Sequence, residues 1–284
     1  MEATIISLRC GVYTILKANN ETIECKPRGL FRHQGITPVV GDKVIIENNV
    51  IVSICPRKNY LIRPRIANID ELAIVMSLIE PEFSALLLDK FISYANYFKL
   101  PANVIISKCD KDSQDKIEEK MNALNRIGIK TIYFSNVDKR GLNEVKELLS
   151  HKTIALMGQT GVGKSSLLNA IIPNSNREIG EYSNALGRGK HQTKEVVLIP
   201  SSSGFIADTP GFSSLELPFY KEDLAQCFPG FDKYFLKCKY HNCLHHNETE
   251  CAVKEALTKN LLSKESYENY LKLLEELKSR KDRY

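Results

Sequence analysis

Gly158-Gln-Thr-Gly-Val-Gly-Lys164-Ser165 has the Gly-x-x-x-x-Gly-Lys-Ser spacing that cradles the phosphates of a nucleotide. Glycines let successive backbone N–H groups curl around phosphate oxygens, Lys164 adds a point charge at the outer phosphates, and the Ser165 hydroxyl is a Mg²⁺ ligand. The contact set expected for the phosphates is Gly158, Gln159, Thr160, Gly161, Val162, Gly163, Lys164, Ser165 and Ser166. The apolar run Thr153–Met157 predicts a strand entering this loop. Gly163–Ile172 predicts a helix leaving it, with a positive N-terminus aimed at the same anion.

The phosphate loop does not choose a base. Ser107-Lys108-Cys109-Asp110 does, because a carboxylate at Asp110 accepts from both the ring N–H and the exocyclic amine of guanine, a pair that adenine lacks. Lys108 can lay its aliphatic stem along the base. Ser135-Asn136, at the end of the next predicted strand, could bring a backbone N–H to the guanine oxygen.

Asp208-Thr209-Pro210-Gly211 fits the switch pattern Asp-x-x-Gly. There Asp208 would hold Mg²⁺ through water, and the Gly211 N–H would meet the γ-phosphate. Gly187-Arg188-Gly189-Lys190-His191-Gln192-Thr193 is glycine-rich and basic, as a first switch loop requires, and Thr193 is the natural second magnesium ligand. It reads equally as an RNA-binding connector, and the two roles are compatible. Many GTPases orient the attacking water with a Gln after the switch glycine. Here that residue is Phe212, so His191 is the candidate catalytic group.

Cys238-x4-Cys243-x-His245-x5-Cys251 places three thiolates and an imidazole within 14 residues. That number and softness of ligands fit tetrahedral Zn²⁺ in a closed structural site. His241 and His246 compete for the histidine position, and Cys227 is a possible substitute ligand.

These groups need elements to hold them. The net charge of +5 is compatible with nucleic-acid binding without establishing it. No run approaches the roughly 20 apolar residues of a membrane span, and the start of the chain lacks a secretion signal, so a cytoplasmic location is expected. Of the eight cysteines, four crowd at 238–251 or just before, at 227, which in a reducing compartment favours metal over disulfides.

Residues 1–62 read as four or five short strands with turns at Gly41-Asp42 and Asn48-Asn49, a small OB-fold barrel. Arg28, Arg32, Lys43, Arg57 and Lys58, with Phe31 and His33, give it a composition suited to RNA, or to a solvated face. Residues 63–217 alternate strands and helices: strands Glu71–Leu78, Ala102–Ile106, Thr131–Phe134, Thr153–Met157, Glu195–Ile199 and Gly204–Ala207, and helices Ser84–Phe98, Asp112–Ile127, Leu142–Leu149 and Gly163–Ile172. That alternation implies a mostly parallel α/β sheet with ligands at the strands' C-terminal ends. Residues 218–284 hold the cysteine cluster and two helices broken near Ser263.

In a GTPase of ordinary order the base motif follows the phosphate loop. Here it precedes it, so the domain is circularly permuted. With Pro38-Val39-Val40-Gly41-Asp42-Lys43-Val44, the Gly187–His191 loop and the cysteine motif, this order makes the chain resemble the bacterial RsgA family of small-ribosomal-subunit-dependent GTPases along nearly its whole length. The resemblance implies an OB-fold, a permuted GTPase domain and a zinc-binding C-terminal domain. It implies rRNA binding, GTP hydrolysis to GDP and phosphate stimulated by the small subunit during its late maturation, a monomer without membrane association, and a catalytic role for His191. Ser107 stands where Asn or Thr is usual, and Gln192 where Thr is usual. A second class fits the residues as well: an RNA-anchored zinc protein that senses GTP with negligible turnover. An ATPase is the third.

Overall fold

In the computed structural model the residues described are 2–111, 118, 121, 122, 125, 128–172, 196–201, 204–209 and 215–280, without the side chain of Arg32. His191, Thr193, Gly211 and Phe212, and most of the helix expected at Asp112–Ile127, lie outside them.

The first 54 residues close into a barrel of five strands. These are β1 (Glu2–Arg9), β2 (Val12–Lys17), β3 (Thr22–Pro27), β4 (Lys43–Glu47) and β5 (Val50–Ile54), in the order β1-β2-β3-β5-β4 with β4 returning to β1. Alternation drives the closure: along β4, Val44 and Ile46 turn inward while Lys43 and Glu47 face water. The β4–β5 turn uses Asn48 and Asn49, both left-handed, at φ 46° and 60°. Asparagine tolerates that conformation in tight hairpins. Strands β3 and β5 run parallel and the other pairs antiparallel, and a short helix α1 (Leu30–His33) links β3 to β4. This is the OB-type arrangement expected.

A hairpin of β6 (Tyr60–Ile62) and β7 (Arg65–Ala67) follows, spanning the junction expected at 62/63. It was not foreseen, since three-residue strands are too short to show a period. It fastens the barrel: Val40 bridges to Ile66, and the Ala67 N–H donates to Val40 O at 2.9 Å. Beside it the buried Asp42 carboxylate receives Arg57 through Nε at 2.7 Å and Nη2 at 2.8 Å, and also the Val39 N–H at 2.8 Å. The Val39-Val40-Gly41-Asp42 run is thus a joint.

The central sheet has six strands in the order β10-β9-β8-β11-β13-β12. They are β8 (Glu71–Ser77), β9 (Ala102–Ser107), β10 (Thr131–Tyr133), β11 (Thr153–Met157), β12 (Val197–Ser201) and β13 (Gly204–Asp208). All pairs are parallel except β12–β13. Every residue of β8 is buried, as a strand covered on both faces requires. One face packs on α3 (Leu142–Leu148) and α4 (Lys164–Ile171) through Val75, Ile105, Leu156, Val145 and Leu167. The other face, with Leu72, Ile74 and Met76, shares one apolar core with α2 (Ala85–Tyr97), the barrel and the C-terminal helices. Ser84 caps α2, its Oγ accepting the Leu87 N–H at 3.2 Å.

The last segment holds α5 (Lys221–Cys227), a 3-10 turn (Phe235–Lys237), α6 (Ala252–Thr258) and α7 (Lys264–Lys278). Helix α7 lies along α2. Asn269 Nδ2 donates to Asp89 Oδ2 at 2.9 Å with both residues buried, and Lys90 Nζ reaches both oxygens of Glu276 at 2.8 Å. A buried hydrogen bond of this kind stabilises by about 1–3 kcal/mol through the cost of leaving it unmade. Asn269→Ala should therefore lower unfolding stability by about that much, read by urea denaturation.

Candidate nucleotide site and metal centre

The chain lays β8, β9 and β10 in one direction across the sheet, then places β11 on the opposite side of β8. Strand order reverses between β8 and β11, and crevices at such reversals bind ligands. The loop Gly158–Gly163 opens there. Gly158, at φ 152°, lies so close to β8 that a Cβ would collide with the Val75 carbonyl oxygen. Gly163, left-handed at φ 96°, is the N-cap that lets Lys164 begin α4 at once. Gln159 and Thr160 lead the loop outward, Val162 is buried against the sheet, and Ser165 and Ser166 are exposed in the first turn of α4.

Lys164 Nζ donates to Gly158 O at 2.6 Å and Gln159 O at 2.8 Å, so its ammonium arches over the loop. Burial pulls its pKa below the usual lysine value, while the carboxylate of Asp208 pulls the other way. That opposition places Asp208, the last residue of β13, within electrostatic reach of the phosphate-loop lysine. A carboxylate and a serine hydroxyl beside a phosphate cradle form a hard oxygen donor set that suits Mg²⁺.

The base motif reaches the same crevice from β9. Ser107 is buried, and its Oγ lies 2.5 Å from Val162 O and 3.0 Å from Met76 O. The serine is thus turned toward the phosphate loop and β8. Lys108 is left-handed at φ 57°, and its Nζ donates to Glu80 O in the β8–α2 loop. The same loop brings Pro81 Cδ to 3.8 Å from where a Cβ on Gly161 would lie. Cys109 is buried, which raises its thiol pKa, and its N–H donates to Phe134 O at 3.4 Å. Asp110 is exposed.

Next to it, the buried Ser135 folds its own loop. Its Oγ accepts the N–H groups of Val137 at 3.2 Å and Asp138 at 3.3 Å, and its N–H donates to Arg140 O at 3.1 Å. The Ser135 N–H is thus engaged within its own turn.

The cysteine cluster closes as a second centre. Ligand atoms of Cys238, Cys243, His245 and Cys251 all lie within 4.8 Å of one another. Cys238 Sγ is 3.5 Å from His245 Nδ1 and 3.9 Å from Cys251 Sγ, and Cys251 Sγ is 3.4 Å from Nδ1. A tetrahedral ion with Zn–S near 2.3 Å and Zn–N near 2.0–2.1 Å spaces its ligands by about 3.8 Å and about 3.5 Å. The cluster could hold a metal of that kind. Among the three histidines of the motif, His245 is the ligand-facing one; His241 is exposed, and His246 lies 3.4 Å from Lys278 Nζ. Cys227 is not in the cluster; burial pushes its thiol up to about 12.

The surroundings fix the histidine. His245 Nε2 meets Ala225 O at 3.1 Å, so Nε2 carries the proton and Nδ1 presents its lone pair to the sulfurs. Tyr267 donates to His245 O and Tyr270 to Leu244 O, each at 2.6 Å. Glu248 accepts the N–H groups of Leu244 at 2.8 Å and His246 at 2.9 Å. Burial, with the neighbouring sulfurs, pushes the Cys243 thiol up to about 12. A bound cation would relieve that cost by drawing off the proton. The sequence offered no sign of the braces from Ala225, Tyr267 and Tyr270.

Residues 2–50 match the RsgA N-terminal domain and residues 54–218 the RsgA GTPase. A small ribosomal subunit biogenesis GTPase RsgA from Geobacillus thermodenitrificans is 38% identical, with 100% of this chain and 99% of the relative covered. One from Caldanaerobacter subterraneus is 39% identical over 92% of this chain and 90% of its own. YjeQ from Thermotoga maritima superposes with a TM-score of 0.83 at 32% identity, covering 99% of both chains. The circularly permuted GTPase YloQ superposes with a TM-score of 0.80 at 36% identity, covering 100% of this chain and 96% of the other. With a permuted nucleotide crevice, an OB-type barrel and matches of this extent, the chain belongs to the RsgA GTPase family.

Proposed function

We propose that this protein is a GTPase of small ribosomal subunit maturation that binds rRNA and hydrolyses GTP to GDP and phosphate when the subunit stimulates it. The observation that carries this reading is the meeting of the phosphate loop and the Ser107–Asp110 base motif at the β8/β11 reversal. The names of the relatives, small ribosomal subunit biogenesis GTPases, supply the partner.

In this reading residues 158–166 and Gly211 hold the phosphates, and Lys108, Asp110 and the Ser135-Asn136 turn hold guanine. Ser165, Thr193 and Asp208 hold Mg²⁺, which neutralises charge on the phosphates. Cys238, Cys243, His245 and Cys251 hold Zn²⁺, whose soft donor set and closed shell suit a structural role. Residues 1–62 form the RNA-binding unit, 63–217 the GTPase and 218–284 the zinc-bearing unit. No helix among the described residues is long and apolar enough to cross a membrane.

Hydrolysis then needs a water aligned on the γ-phosphate. Phe212 offers no hydrogen bond for that task, so His191 takes it, as a side chain that can orient and briefly accept a proton. His191→Ala should cut turnover about 10²-fold, within the range of one positioned acid–base group, and leave GTP affinity nearly unchanged. Single-turnover hydrolysis alongside equilibrium GTP binding checks it. The broader reading is tested by GTP hydrolysis with and without purified small subunits. Stimulation is the expected result. Equal rates would favour a nucleotide-sensing RNA protein.

A further inference from the structure

Strand β13 ends at Asp208, the first residue of the Asp-x-x-Gly pattern. Thr209 is fully buried, and its Oγ1 donates to the main-chain oxygen of Leu156, in the strand that feeds the phosphate loop. The next residue is proline, which has no N–H to give. Leu156 is paired with Asp208 in register, one residue before Met157 and two before Gly158. The hydroxyl therefore clamps the chain immediately after the Asp208 carboxylate onto the strand immediately before the phosphate cradle. The Asp208 carboxylate also acts electrostatically on Lys164.

We infer that Thr209 is a positioning residue for magnesium. Resting on the GTPase reading, this assigns to its hydroxyl the task of fixing where the Asp208 carboxylate stands relative to the phosphate loop. A carboxylate that would help hold Mg²⁺ tolerates little drift, because that ion accepts only a narrow range of ligand geometry. Groups that orient metal-binding side chains from behind are commonly worth 10–100-fold in metal affinity. In this assignment Thr209 acts through Asp208. Base choice, set at the other end of the crevice by Asp110, should not depend on it.

The test is a Mg²⁺ titration of a fluorescent, non-hydrolysable GTP analogue bound to the full-length protein. Thr209→Val keeps the branched shape and removes the donor; Thr209→Ser keeps the donor and trims the methyl. The expected result is a half-saturating Mg²⁺ concentration raised about tenfold in Thr209→Val and restored to within about twofold in Thr209→Ser, with the preference for guanine over adenine unchanged in both. If Thr209→Val fails to fold by circular dichroism, Thr209→Ala carries the same expectation. Unaltered Mg²⁺ dependence in the folded variant overturns the assignment, and so does an equal shift in Thr209→Ser, which would point to packing alone. Absence of Mg²⁺-dependent binding in the unaltered protein is a different result: it would bring down the GTPase reading itself.

Discussion

Cys243→Ser should leave the purified protein without stoichiometric zinc and with the 218–284 segment no longer cooperatively folded. The apparent binding energy of structural zinc is on the order of 10–16 kcal/mol, and in small sites it is folding energy. That is as large as the usual net stability of a whole domain, about 5–15 kcal/mol. Here the loss would spread along defined contacts. Cys243 is buried, and its neighbour His245 ties to α5 at Ala225 O and to α7 through Tyr267. Without the ion, three thiols and an imidazole face one another, and burial opposes ionising any of the buried sulfurs. Metal analysis together with near-ultraviolet circular dichroism reads the outcome. A zinc-free variant with an unaltered aromatic signal would show that Phe228, Phe231 and Tyr270 pack well enough on their own.

Asp110→Asn should lower GTP affinity about 10²-fold and make xanthosine triphosphate the better ligand. One charge-assisted hydrogen bond is lost and the other becomes a neutral one; bonds to a charged group are worth about 1.5–3 kcal/mol each, so the combined loss is of that order. The direction follows from donor counting. An amide oxygen can accept one guanine N–H, but its NH₂ then opposes the other. Xanthine carries an oxygen where guanine carries the amine, and the Asn NH₂ suits it. Competition binding with both triphosphates decides the matter, and unchanged GTP affinity would remove Asp110 from the base pocket. Ser107 should behave differently. Its hydroxyl is engaged with Val162 O and Met76 O, tying the strand end to the 158–163 loop and β8.

What could be read from the sequence was local. A Gly-x-x-x-x-Gly-Lys-Ser loop carries its conformation in its own glycines, and the strand and helix flanking it announce themselves by period. The order of the motifs showed the permutation directly. The cysteine spacing showed four soft ligands, but not that His245 rather than His241 or His246 turns inward, because that choice is made by Ala225, 20 residues away. The Ser107–Val162 contact joins residues 55 apart, and the Asn269–Asp89 bond joins residues 180 apart. Neither leaves a periodic trace. The β6–β7 hairpin escaped for another reason: its two strands, on either side of Arg63-Pro64, are too short to alternate.

The apolar core that runs without a break from Ala3 in the barrel through Met76 in the sheet to Leu277 in α7 has a consequence for how such a chain can be divided. Its segments have boundaries in sequence but share an interior. A middle fragment cut at 63 and 217 would carry away the phosphate loop intact but expose to water the apolar surface that the barrel and the C-terminal helices cover, α2 alone remaining on the face of Leu72, Ile74 and Met76. Such a fragment would be sticky before it was inactive. The three parts can be inherited, lost or exchanged only as a set that keeps this face covered.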